Sequence, residues 1–274
     1  MPTASSLKNL AKRLFNAFGL EIRKTPAASA PERASMRGAL HQLSSLGFKP
    51  ATVIDAGVAT QTLELYEAFP SASILLIEPL AEFEPFLQKI CAAYKAQYVL
   101  AAAGQSPGSA TFHVHADKVS SSLLHEVEGP SVDGTPRTVP VVSLDQLTSE
   151  KNLPGPYLVK LDVQGAELQV LSGASRTLQH TEVVMLEGTL FATMIGGPQL
   201  HDLILYMKGL GFVLYDLYPI LYRPLDGALA QVDLLFVREY GPFRQSHAYA
   251  TPEQRKLLDR QLDPLFAEAS KDRR

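Results

Sequence analysis

At 274 residues the chain is long enough for one large α/β domain with terminal additions, able to bury its own core. Hydrophobic residues at 46%, charged residues at 19% and a net charge of −3 are ordinary for a globular protein and give no overall pull toward nucleic acid. The single cysteine, Cys91, excludes an internal disulfide, suits a reducing, cytoplasmic compartment and reads as a small buried hydrophobe.

At the N-terminus Leu7, Leu10, Ala11, Leu14, Phe15 and Phe18 recur at helical spacing, with Lys8, Lys12 and Arg13 between them. The apolar positions never form a continuous run, so no secretory signal is expected. No stretch approaches the roughly 20 apolar residues of a membrane-spanning helix. Through Arg37 seven basic residues (Lys8, Lys12, Arg13, Arg23, Lys24, Arg33 and Arg37) stand against Glu21 and Glu32. This basic amphipathic helix reads as docked on the domain or on a partner subunit of a homo-oligomer. Its alternative is a peripheral anchor on an anionic membrane surface. Residues 25–31 read as the linker that follows. The division expected is 1–31 for this helix and linker, 32–240 for the main domain and 241–274 for a C-terminal helical extension.

Within the main domain, 31–47 suggests a helix with Met36, Leu40, Leu43 and Leu46 on one face, closed by Gly47. A buried strand follows over 51–56, a helix over 62–69, a strand over 73–77, a helix over 81–94 and a third strand over 98–103. Such alternation predicts parallel strands joined by right-handed crossovers. The alternation then breaks: 109–115 and 137–142 have strand periodicity and read as an inserted β-hairpin. The intervening 120–136 is expected to be disordered or a lid over a site. Residues 157–163 form the clearest buried strand of the second half, followed by a helix over 166–171, a strand over 182–187 and a helix over 198–210. Strands at 212–218 and 231–237, joined without a helix, should be antiparallel. Thr251 reads as the N-cap of a last helix, with Pro252 in its first turn. The sum is an α/β fold with a doubly wound, seven-stranded, mostly parallel sheet carrying a C-terminal antiparallel strand, the inserted hairpin and terminal helices.

The most informative segment runs from Val53 to Glu78: a strand ending in Asp55 and Gly57, a loop into a helix, and a strand ending in Glu78. Asp55 and Glu78 lie 23 positions apart, near the roughly 20 expected between a glycine turn and a ribose-binding acid. A nicotinamide-binding turn wants G-x-G-x-x-G, so that a helix N-terminus meets the pyrophosphate. Here Gly57-Val58-Ala59-Thr60-Gln61-Thr62 keeps the first glycine alone. That argues against a nicotinamide oxidoreductase and for a phosphate-free adenosine cofactor, S-adenosylmethionine.

Three motifs in order carry a resemblance: Val53-Ile54-Asp55-Ala56-Gly57, Leu76-Ile77-Glu78-Pro79, and Val159-Lys160-Leu161-Asp162-Val163-Gln164-Gly165-Ala166-Glu167 with Leu171-Ser172-Gly173-Ala174 after it. The chain resembles the FkbM-type S-adenosylmethionine-dependent methyltransferases over about 51–237. The resemblance implies a Rossmann-like fold and methyl transfer, usually to a hydroxyl oxygen of a carbohydrate or secondary metabolite, with a small-molecule or glycan acceptor and no nucleic acid. Two departures stand out. Ala59 and Gln61 occupy a loop where the family usually has asparagine and a second glycine, and Gln164 replaces its glutamate. A homologue that keeps the fold without binding cofactor is therefore the alternative from another functional class.

Among single residues, Gly57 is expected to form the cofactor turn and Glu78 to bind the ribose. Asp55 is read as supporting the loop through backbone N–H groups, with ligand contact as its alternative. Ala59 and Gln61 flank the methionine end, and Ala102 and Ala103 offer backbone to the adenine or are simply core. Ser120, Ser121 and Ser122 can supply hydroxyls from the loop. Asp162 is the leading candidate to accept the acceptor's proton, with Lys160 on the same strand face pairing with it and Glu187 as a second base. His113 and His115 share a strand face, but no third ligand stands at telling spacing, so they read as a strand pair rather than a metal site.

Overall fold

The computed structural model describes residues 33–269. The basic amphipathic helix expected at the N-terminus lies outside them. Ser35 opens the first helix, α1 (Met36–Ser45), its Oγ accepting from the Gly38 N–H at 3.1 Å. Leu40 and Leu43 are fully buried, whereas Leu46, expected on the same face, falls at the helix end and is 54% exposed.

The alternation continues through β1 (Thr52–Ala56), α2 (Leu63–Ala68), β2 (Ser73–Ile77), a 3₁₀ turn at Ala81–Phe83, α3 (Glu84–Ala93) and β3 (Ala96–Val99). Next come β4 (Ala102–Ala103), β5 (Gly108–Val114), β6 (Thr135–Val142), α4 (Leu144–Glu150), β7 (Tyr157–Leu161), α5 (Glu167–Ser172) and α6 (Ser175–Gln179). The chain ends with β8 (Thr181–Thr189), α7 (Leu200–Gly209), β9 (Phe212–Tyr222), β10 (Leu229–Arg238), a second 3₁₀ turn and α8 (Pro252–Ala269). Thr251 caps α8 as expected, exchanging hydrogen bonds with Gln254.

Seven strands form one sheet in the order β3-β2-β1-β7-β8-β10-β9. β3, β2, β1, β7 and β8 pair in parallel, and β10 is antiparallel to both β8 and β9. Side chains alternate between two apolar layers: Ile54, Leu75, Val159 and Val184 enter one, Val53, Ile74, Leu158 and Val183 the other. Helices cover both faces, which is the doubly wound arrangement. Among the described residues no helix is long and apolar enough to cross a membrane.

Three details differ from the sequence reading. The third strand is divided, because the chain bends at Leu100–Ala101; β3 pairs with β2, while Ala102–Ala103 joins β6 in a separate sheet of order β4-β6-β5. The helices α4 and α6 were not expected, being only 7 and 5 residues long. The strand β9 runs to Tyr222, well past its expected end at 218, and β10 is slightly longer than expected, at Leu229–Arg238. Pro219, read as loop, lies inside β9, where the register shifts between the Ile220–Val232 and Leu217–Leu234 pairs. An edge strand with a bulge tolerates a proline that donates no hydrogen bond.

Candidate active site

Strand order reverses between β1 and β7, and a crevice is expected beyond the carboxyl ends of strands at such a point. A cleft of about 610 Å³ lies there, its wall made by residues following β1, β2 and β7, with contributions from β4, β5, β8 and β10. This volume is within the roughly 300–1,000 Å³ typical of small-molecule sites.

Gly57 makes the first wall. Its φ is +79°, a left-handed conformation that glycine adopts without strain, and its N–H donates to Ile77 O at 2.9 Å. The approach to β7 is just as demanding, since a Cβ on Gly57 would lie 1.7 Å from the Asp162 carbonyl oxygen. From the neighbouring strand end Glu78 reaches under the same loop. One carboxylate oxygen accepts from the Ala59 N–H at 2.9 Å and the other from the Leu80 N–H at 3.0 Å. Burial raises its pKa, with those two N–H groups opposing the rise.

Gly57, Ala59, Gln61, Glu78, Ala102, Ala103, Ser121, Lys160, Asp162 and Glu187 all line this one cleft. Asp55 does not. Its carboxylate is fully buried behind the wall, where it accepts from the Tyr66 hydroxyl at 2.6 Å and faces Lys160 Nζ at 3.3 Å. The backbone N–H partners expected for Asp55 are thus replaced by two side chains. Burial and the Asp55 charge both raise the Tyr66 pKa, so its hydroxyl remains a donor.

Lys160 Nζ also donates to Asp162 Oδ2 at 3.4 Å and to Gly57 O at 3.5 Å. Burial alone would favour a neutral amine, but the charges of Asp55 and Asp162 outweigh it and raise the pKa above that of an ordinary lysine. Lys160 is therefore a fixed cation that ties β1, its turn and β7 together; it cannot accept a proton. The remaining Asp162 oxygen accepts from Gln164 Nε2 at 2.8 Å.

Sequence reasoning missed the acid that completes the group. Asp233 on β10 lines the cleft beside Glu187, and Gln231 Nε2 donates to Glu187 Oε2 at 2.7 Å. Burial and the negative charges of Asp162, Glu167 and Asp233, only partly offset by Lys160, push the Glu187 carboxyl up to about 8. Burial and the Asp162 charge likewise push Asp233 up to about 7. The available signal was an aspartate within the otherwise apolar run 232–237.

The segment between β5 and β6, expected to be disordered or a lid, lies across the cleft. Lys118, Val119, Ser120, Ser121 and Leu123 line it. The serines are engaged with protein: Ser120 Oγ donates to Asp117, Ser121 Oγ accepts from the His115 N–H, and Ser122 Oγ donates to Gln164 O at 2.6 Å.

Residues 55–214 match the methyltransferase FkbM domain. A curated protein, the hexuronic acid methyltransferase AglP of Haloferax volcanii, is 32% identical over 84 residues, covering 31% of this chain and 34% of that protein. The match thus spans about a third of that relative's length. Among solved structures, an rRNA methylase from Streptococcus thermophilus superposes with a TM-score of 0.42 at 11% identity, covering 77% of this chain and 99% of that one. The magnesium protoporphyrin IX methyltransferase of Synechocystis, solved with bound SAM, gives 0.39 at 10% identity, covering 87% and 100%.

Proposed function

The chain belongs to the FkbM methyltransferase family, and from that premise we propose that it moves the methyl group of S-adenosylmethionine to a hydroxyl oxygen of a carbohydrate or related metabolite. The observation that carries this reading is a single cleft lined both by a preformed glycine turn and by three carboxylates, Asp162, Glu187 and Asp233.

The residues present fit that cofactor. Gly57 turns the chain sharply and packs against the main chain of Asp162, where a Cβ would not fit, so the turn borders the cleft. Glu78 is pinned by two N–H groups and keeps further lone pairs for ribose hydroxyls. Ala102, Phe83 and Phe112, members of a small apolar cluster on the second sheet, line the cleft and offer apolar contacts for an adenine. The cofactor, when bound, supplies an electrophilic methyl group on a positively charged sulfur. Carboxylates facing the same space favour such a cation.

A hydroxyl oxygen that gains a methyl group must lose its proton. Asp162 is the leading candidate from the sequence, but one of its oxygens is paired with the fixed Lys160 cation, whereas the Glu187 oxygens meet only the neutral amides of Gln164 and Gln231. Glu187, raised to about 8, is better matched to proton transfer near neutral pH. Glu187 is therefore assigned proton acceptance, Asp162 the holding of positive charge, and Lys160 the positioning of Asp162. Most of the rate gain comes from aligning the acceptor oxygen with the methyl group. The AglP likeness supports a sugar acid as the first acceptor to try.

Calorimetry with S-adenosylhomocysteine and NAD, followed by transfer from methyl-labelled S-adenosylmethionine to hexuronic acids and neutral sugars, tests the reading. Binding of the first ligand without the second, and label on a carbohydrate hydroxyl, are expected. Binding of neither ligand would instead favour a scaffold that has lost its cofactor.

A further inference from the structure

His113 on β5 points into the base of the segment that crosses the cleft. Its side chain is only 7% exposed, and its Nδ1 makes no hydrogen bond although Asp133 Oδ2 lies 3.4 Å away. On the other side of the same carboxylate oxygen, His125 Nδ1 lies at 2.5 Å. The two imidazole rings are 4.0 Å apart, centre to centre. One ligand atom from each of the three residues lies within 4.8 Å of the other two. His115, paired with His113 in the sequence, takes no part in this group.

A histidine–carboxylate hydrogen bond accounts for His125 and Asp133. It does not account for His113, whose buried ring nitrogen is left without a hydrogen-bond partner, an unfavourable state. A divalent ion would occupy that nitrogen. Zinc bonds of roughly 2.0–2.1 Å in a tetrahedron place neighbouring ligand atoms about 3.3 Å apart. The His113–Asp133 separation already meets that value. The His125–Asp133 pair must open by about 0.8 Å to reach the same edge, a movement available to a side chain that is 62% exposed. Two imidazoles with one carboxylate suit zinc and its first-row neighbours, whereas magnesium and calcium prefer oxygen ligands throughout.

We infer that His113, His125 and Asp133 bind one zinc-class divalent cation, with water completing the coordination, and that this ion fastens the segment 115–133 across the cleft. The fastening follows from where the ligands sit. His113 belongs to the second sheet, His125 and Asp133 to the crossing segment, and the stretch between His113 and His125 contains the residues that line the cleft. The segment is already held elsewhere. Ser122 pairs with His113 through backbone hydrogen bonds of 2.8 and 3.2 Å and donates its hydroxyl to Gln164 O, the Ile195 N–H donates to His125 O at 2.7 Å, and the Val127 N–H donates to Thr193 O at 2.9 Å. The ion adds a further attachment, closing the span on itself.

The test uses the full chain after chelator treatment, titrated by calorimetry with zinc alone and with magnesium alone, beside His125→Gln and Asp133→Asn. The exposed His125 can be replaced without disturbing the core. One zinc per chain is expected, at least tenfold weaker in each variant, with no magnesium binding. Hydrogen exchange of 115–133 should slow with zinc in the unaltered chain and not in the variants. Absence of saturable zinc binding, or equal binding by all three proteins, overturns the site. Zinc binding that leaves exchange of 115–133 unchanged overturns the fastening.

Discussion

The α-carbon of Gly57 faces the main chain of Asp162 so closely that an added Cβ would sit 1.7 Å from its carbonyl oxygen. The turn after β1 and the end of β7 are thereby locked at one separation, and the carboxylate of Asp162 is delivered to the cleft by that contact. Gly57→Ala combines a left-handed backbone with overlap against main chain that has no freedom to retreat. A loss of about 2–5 kcal/mol of stability is expected, together with loss of cofactor binding. Chemical unfolding and calorimetry measure the two. A variant that unfolds at the same denaturant concentration would show that the turn can reopen.

Glu78 joins the turn after β1 to the segment after β2 by accepting from Ala59 and Leu80. Its removal should therefore have two separable effects. Glu78→Ala is expected to weaken S-adenosylhomocysteine binding by more than about tenfold, or over 1.4 kcal/mol, while the protein stays folded. Glu78→Gln, with one oxygen for the two N–H groups, should fall between. Unchanged affinity in the alanine variant would remove Glu78 from the ribose site and leave it a loop clamp.

Glu187 predicts a pH dependence of definite sign. Its folded pKa of about 8 lies above the ordinary value of 4.5, so the folded state holds a proton that the unfolded state releases. The stability this contributes is full below about pH 4.5 and is lost as pH rises through about 8. Activity runs the other way if Glu187 accepts the proton: kcat/KM should climb toward an apparent pKa near 8. Glu187→Gln should lessen the fall in stability over that range, where Asp233, raised to about 7, also contributes, and erase the rising limb of the rate. A rising limb that survives the substitution would transfer the role to Asp233.

Much of this site could be read before folding because its parts lie on buried parallel strands. β1 and β7 are buried at every residue, so 51–56 and 157–163 stand out as mainly apolar runs interrupted by Thr52, Asp55, Lys160 and Asp162, and Gly57, Glu78 and Asp162 follow directly at strand ends. Asp233 and Gln231 could not be found that way. They come from a hairpin whose pairing with β8 is long-range, and no local pattern says that β10 opposes Glu187. The division of the third strand was hidden because Leu100-Ala101-Ala102-Ala103 contains no turn-forming residue. The helix α4 was more legible than it was taken to be, since Ser143 with Gln146 three residues later is a capping pattern, and Ser143 Oγ does accept from the Gln146 N–H.

One residue from each departure from the family pattern shares a backbone feature. Ala59 has φ +46° and Gln164 φ +51°, both in the left-handed region that asparagine and glycine occupy more readily. For Gln164 the side chain supplies a compensation, bridging Asp162 and Glu187. Ala59 has no side-chain hydrogen bond to offer; its N–H donates to Glu78 and its methyl packs against the small cluster of Leu80, Phe83, Ala102, Phe112 and Val139. The strain costs on the order of 1–2 kcal/mol. Ala59→Asn keeps the N–H and relieves part of that strain, so stability should increase by about 1 kcal/mol. The expected rise in Tm is about 2–4 °C for a domain of this size. Because the Glu78 clamp fixes the loop in either case, affinity for S-adenosylhomocysteine should change less than about twofold, within 0.5 kcal/mol. Thermal unfolding and calorimetry on the same preparation decide the point. A lower Tm would mean that the alanine methyl makes a packing contact worth more than the strain, and a large gain in affinity would mean that Ala59 holds the loop in a form poorly suited to the cofactor.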